Sequence, residues 1–141
     1  MRFKNTKDLL KHEMMHALGF GTVNPISTQE SCAEELDFSQ RAGEYVVSAF
    51  GCKNVAGILA DDRRKTHLME SIYHDEMMTP YLSEKRNYFS NISAMILEDT
   101  HLNSGQWYKV NYRSIQKEAF RFVRENQQLC ARLEKAASKL S

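Results

Sequence analysis

Two histidines four residues apart, with a glutamate beside the first, make up the segment of this chain best suited to chemistry: His12-Glu13-Met14-Met15-His16. On a helix, positions i and i+4 project from one face, so His12 and His16 can share one tetrahedral metal, and imidazole nitrogens in that arrangement suit zinc. Glu13 then leans over the coordination position left open. There its carboxylate can serve as general base toward a metal-activated water that attacks a peptide carbonyl. A pattern of five residues with two free positions arises by chance in about one of a few hundred chains of this length, so its surroundings decide its weight. Here it continues Ala17-Leu18-Gly19-Phe20, a small residue, an apolar anchor and a glycine that lets the backbone leave the helix sharply.

Catalytic zinc keeps three protein ligands and one water, so a third ligand is expected among His67, His74, His101 and the carboxylates. His67 and His74 both precede the methionine pair Met77-Met78 and the turn-forming Thr79-Pro80.

These side chains need elements to carry them. Thr6 as N-cap, Asp8 in the first turn and an apolar stripe of Leu9, Leu10, Met14, Ala17 and Leu18 predict a helix ending at Gly19. Residues 21–31 read as a loop. A second helix is expected over 38–50, with Ala42, Tyr45, Val46, Ala49 and Phe50 on one side and Gly51 as its stop. The charged run 61–65 predicts an exposed connection leading to His67. Ile92, Met95 and Ile96 have helical spacing within 92–99, and Trp107-Tyr108-Lys109-Val110-Asn111-Tyr112 reads as strand-like. From Ser114 to Leu140 one long helix is expected. Its seam, Ile115, Ala119, Phe122, Asn126, Leu129, Leu133, Ala136 and Leu140, favours packing on its own domain over self-association through a coiled coil.

A chain of 141 residues, 42% hydrophobic, supports one modest core with a tail. Nineteen basic against eighteen acidic residues, net +1, lack the basic footprint that nucleic acid requires. No run approaches the roughly 18 apolar residues of a transmembrane segment, and the N-terminus lacks a signal-peptide core, so as written the chain is expected to be cytoplasmic. Cys32, Cys52 and Cys130 are odd in number, which leaves at least one without a partner.

Four blocks, in order, carry a likeness: His12 to Phe20, Phe50-Gly51-Cys52, Asp75-Glu76-Met77-Met78-Thr79, and Glu98-Asp99-Thr100 with Trp107 to Tyr112. Together they resemble the leishmanolysin-like (invadolysin-type) family of metzincin zinc metallopeptidases over roughly residues 7–112, with gaps. The resemblance implies one Zn2+ per chain held by His12, His16 and His67, Glu13 as the catalytic base, and Met78 as the methionine of a turn beneath the metal. His74 becomes a neighbour. The approach to His67 is charged where the family is glycine-rich, and Leu68-Met69 follow where the family has Trp-Glu.

The implied fold is mainly α: a partial metzincin catalytic domain over 1–112, comprising the active-site helix, the third-ligand loop and the methionine turn, then a helical tail over 113–141, with the N-terminal sheet missing. The implied function is that of a zinc-dependent metalloendopeptidase acting on polypeptide substrates. The alternative is a catalytically inactive truncated paralogue working through its C-terminal helix. Relatives are secreted or membrane-associated and linked to cell adhesion. Cys52 matches a cysteine that is disulfide-bonded in such relatives, its partner here being either missing or Cys32.

Overall fold

The computed structural model describes residues 5–21, 40–53, 58–61, 66–99 and 109–138. Within them lie six helices: α1 (Thr6–Leu18), α2 (Gln40–Phe50), α3 (Glu70–Tyr73), α4 (Asn91–Asp99), α5 (Tyr112–Glu125) and α6 (Leu129–Ser138). Extended pairing among the described residues is limited to isolated bridges, Ala60 with Leu68 and Glu76 with Tyr88. The mainly helical class expected from the sequence therefore holds. No described helix is long and apolar enough to cross a membrane.

α1 is pinned at both ends. Asn5, one residue before the expected Thr6, is the N-cap, its side chain accepting from the Asp8 N–H at 3.3 Å. Asp8 Oδ2 in turn accepts from the backbone and side-chain nitrogens of Asn87 at 3.0 and 3.1 Å, which ties the helix start to the 83–87 loop. At the other end Gly19 takes φ 125°, a conformation that costs glycine nothing, and Phe20 drops into the core with its N–H on the Met15 carbonyl at 2.9 Å.

The face that α1 buries corrects the expected apolar stripe. His12 and Met15 point inward, while Leu9, Leu10, Met14, Ala17 and Leu18 are exposed, Leu10 by 63% and Met14 by 54%. The stripe lies roughly opposite the histidine face on a helix of 3.6 residues per turn. The inward face carries Met15 into the core, and the burial of His12 beside it is compensated by its hydrogen bond to the Met77 carbonyl.

α2 packs on α4 through Ala42 and Val46, with Ile92 and Ile96 in the same core, and Gly51 ends α2 at φ 72°. Across this pair Arg41 bridges Glu98 at 3.2 Å and Asp99 at 3.0 Å. Glu98 also accepts from the Tyr112 hydroxyl and, at 2.9 Å, from the Val110 N–H. The expected strand-like piece is corrected in its described part: Lys109–Asn111 is irregular, and Tyr112 opens α5 with Asn111 as N-cap. Trp107 and Tyr108 lie outside the described residues, as do 62–65, His101, Cys32 and Leu140.

The long C-terminal helix is two helices. Asn126, the polar residue inside the seam, is the break: it is buried, donates to the Phe122 carbonyl at 2.9 Å and accepts from Arg132 at 2.8 Å. A side chain that bonds its own helix backbone in this way competes with continuation of the helix. The seam itself is real. Ala119, Phe122, Leu129 and Leu133 are buried, and the last three join the core that contains Met15 and Phe20. Each such side chain contributes about 1.5–3 kcal/mol when fully buried.

Two further ties hold the tail. Arg132 Nε donates to the Ile72 carbonyl in α3 at 2.9 Å, and Cys130 is disulfide-bonded to Cys52. The pairing corrects the expectation that the partner of Cys52 is absent or is Cys32. Packing of α6 brings Cys130 to the end of α2, which a separation of 78 residues does not reveal.

Candidate metal centre

The structure brings His12, His16 and His67 together, with ligand nitrogens all within 4.8 Å of one another. Each of the α1 histidines uses one ring nitrogen to grip backbone. His12 Nδ1 lies 2.7 Å from the Met77 carbonyl oxygen, and His16 Nδ1 lies 2.8 Å from that of Phe20. A carbonyl oxygen only accepts, so both Nδ1 atoms carry the proton and donate. In the neutral rings Nε2 is then a bare lone pair.

Those lone pairs converge. Nε2 of His16 lies 3.1 Å from Nε2 of His12 and 3.3 Å from Nε2 of His67. Zinc–nitrogen bonds of about 2.0–2.1 Å at tetrahedral angles set adjacent nitrogens about 3.3–3.4 Å apart, which is close to this spacing. Nitrogen lone pairs at such distances repel unless a proton or a cation stands between them. The donor set therefore fits a divalent metal with a preference for nitrogen ligands.

Burial supports the neutral form. It pushes the His12 imidazole below its ordinary value, and the nearby His16 and His67 add to this. The hydrogen bond to Met77 and the Glu13 carboxylate act the other way. Glu13 is thus within electrostatic reach of His12, and it is exposed to solvent beside that histidine.

His67 reaches the cluster differently. It follows Thr66, whose Oγ1 lies 2.9 Å from His67 Nδ1. The backbone on either side is fixed by the Asp61 N–H on the His67 carbonyl at 3.1 Å and the Leu68 N–H on the Met78 carbonyl at 2.9 Å. Gly21, at φ 73°, lets the chain leaving α1 press against Thr66: a Cβ there would stand 2.7 Å from Thr66 Cα and from its carbonyl oxygen.

Met77 and Met78 are buried in the turn that follows α3, with Met77 N–H on the Tyr88 carbonyl at 2.7 Å. One turn thus serves two of the three histidines, His12 through the Met77 carbonyl and the His67 segment through the Met78 carbonyl. His74 stands apart from the cluster, at an unusual φ of 47° where the chain leaves α3. Sequence reasoning chose the three histidines but missed Thr66, Gly21 and the carbonyls of Phe20 and Met77. Backbone carbonyls leave no trace in residue type, and in the sequence Gly21 is marked only by the loop composition around it.

No family model, curated protein or solved structure matches this chain.

Proposed function

We propose that this chain holds one zinc ion on His12, His16 and His67 and belongs to a metalloendopeptidase of the leishmanolysin type. The observation that carries the metal is the convergence of three Nε2 atoms, with Nδ1 of His12 and of His16 each turned to a carbonyl acceptor so that, in the neutral ring, Nε2 is the nitrogen available to a cation. The peptidase reading adds Glu13 and the four-block likeness to that geometry. When bound, the metal lowers the pKa of a coordinated water and polarises the scissile carbonyl.

The chain's own groups do the rest. Glu13, exposed beside His12, accepts a proton from the attacking water onto its carboxylate and passes it to the departing amide nitrogen as the C–N bond breaks. His12 and His16 stay oriented by their bonds to Met77 and Phe20, so their proton positions do not change during turnover. Met78, buried in the same turn, takes the part of the methionine beneath the metal that the family likeness implies. The Cys52–Cys130 disulfide favours an oxidising compartment over the cytoplasm.

The alternative of an inactive chain acting through its C-terminal helix lacks a free seam, because Phe122, Leu129 and Leu133 are already in this chain's core. Elemental analysis of the purified chain, beside His67→Ala and Glu13→Ala variants, tests the main reading. One zinc per chain is expected, weakened in His67→Ala and kept in Glu13→Ala, with peptide cleavage lost in Glu13→Ala. Absence of zinc in the parent chain would reject the metal centre. Cleavage surviving Glu13→Ala would reject the assigned base.

A further inference from the structure

Beneath the turn that serves two of the ligands lies a carboxylate with no catalytic assignment. Glu76 is fully buried. Its Oε1 accepts from the Met78 N–H at 2.6 Å, and its Oε2 accepts from the Ser90 N–H at 3.1 Å, the Ser90 hydroxyl and the Ser93 hydroxyl at 2.7 Å. None of these donors is a cation. Burying a carboxylate away from positive charge is costly, so the group holds something that an apolar side chain could not.

What it holds is the turn at Met77-Met78, bound to Ser90 at the start of α4 and to Ser93 one turn on. The same two residues present the carbonyls that receive His12 Nδ1 and Leu68 N–H. We infer that Glu76 is a positioning residue for the metal centre: by clamping the Met78 N–H to α4 it sets the Met77 and Met78 carbonyls, and through them the direction of His12 and the approach of His67. This rests on the three-histidine reading above. Glu76→Gln is the informative change, because the carboxylate receives a backbone N–H on each oxygen and an amide has one oxygen only. Either Met78 N–H or Ser90 N–H must then face an NH2 group.

The test is Co2+ binding to the full chain, followed by visible absorption, with thermal melting of each metal-free variant alongside. Wild type should bind one Co2+ with bands of a tetrahedral site. Glu76→Gln should bind about 10- to 100-fold more weakly, the range typical when a group supporting a ligand is lost, and with altered bands. A merely structural role would lower the melting temperature of the metal-free chain and leave the affinity and bands of the folded fraction unchanged. That result overturns the inference. Should Glu76→Gln fail to fold, Ser93→Ala removes one donor and keeps both backbone bonds. It should weaken Co2+ by a few-fold, and an unchanged affinity there would overturn the inference as well. If wild type binds no Co2+ or Zn2+, the metal centre itself fails, a result separable from failure of the Glu76 role.

Discussion

The histidine pair on α1 and the third histidine are held by different means. His12 and His16 share one helix and are each clamped by a backbone carbonyl, whereas His67 stands on a short bridged segment and faces the Thr66 hydroxyl. A carbonyl can only accept, so it dictates where the imidazole proton sits. A hydroxyl donates or accepts, so the proton of His67 follows whatever its Nε2 meets. In the proposed metal site the helix is therefore a half-site prepared in advance, and the loop histidine is delivered to it by backbone packing at Gly21 against Thr66 and at Leu68 against Met78.

The largest effects should come from removing ligands, and they should differ between the two regions. His12→Ala and His67→Ala should each weaken zinc by more than roughly a hundredfold, beyond what a change in a supporting group costs. Only His12→Ala should also destabilise the metal-free chain, by about 2 kcal/mol, because it leaves a cavity and an unmet Met77 carbonyl in the interior. Denaturant unfolding in chelator reads this directly. Equal losses of metal-free stability in both variants would break the contrast.

Gly21→Ala attacks the delivery of the loop. A methyl group 2.7 Å from Thr66 backbone atoms, at φ 73°, should cost about 2 kcal/mol or more and should weaken zinc while leaving α1 helical by circular dichroism. Thr66→Val keeps the shape of the side chain and removes the hydroxyl that faces His67, so zinc affinity should fall by roughly tenfold with little change in metal-free stability. Competition titration with a chromophoric chelator measures both.

The smallest effect lies away from both regions. Burial alone would raise the Glu98 carboxyl, but hydrogen bonds from Tyr112, the Val110 N–H and Arg41 outweigh it and hold the group below its ordinary range. A carboxyl depressed in the folded state stabilises the fold above its unfolded pKa of about 4.3, and this is lost as pH falls through the folded value. Unfolding measured at pH 6 and again near pH 3 should show a smaller acid loss in Glu98→Gln, by about 1 kcal/mol at most, with zinc affinity at neutral pH unchanged. A changed affinity would mean that the α2–α4 bridge acts on the metal site, which would blur the division between prepared and delivered ligands.

Much of this arrangement was legible in the residues, but unevenly. The spacing of His12 and His16 predicted the shared face of α1, and the seam Ala119, Phe122, Leu129 and Leu133 is the buried side of the tail. The same periodicity misled for Leu10, Met14 and Leu18, which are exposed. A stripe marks an apolar face and cannot say whether the molecule covers it. Asn126 reads in the sequence as a polar residue within a continuous helix: its bond to the Phe122 carbonyl is local and open to any asparagine, and the Arg132 bond that accompanies the break exists only once α6 has folded back.

The sequence by itself determined the histidine pair and its i, i+4 spacing, the glycines that end α1 and α2, and the mainly helical character, because these depend on side-chain chemistry and on backbone geometry within a few residues. Residue spacing leaves His67, His74 and His101 open, and the choice of His67 comes from the family likeness; only the tertiary structure decided that Cys130 meets Cys52, and that the Met77 and Phe20 carbonyls fix the imidazole protons. Each of these joins segments brought together by a common core or by the path of the backbone, and residue spacing along a chain carries no record of the distances that packing sets between them.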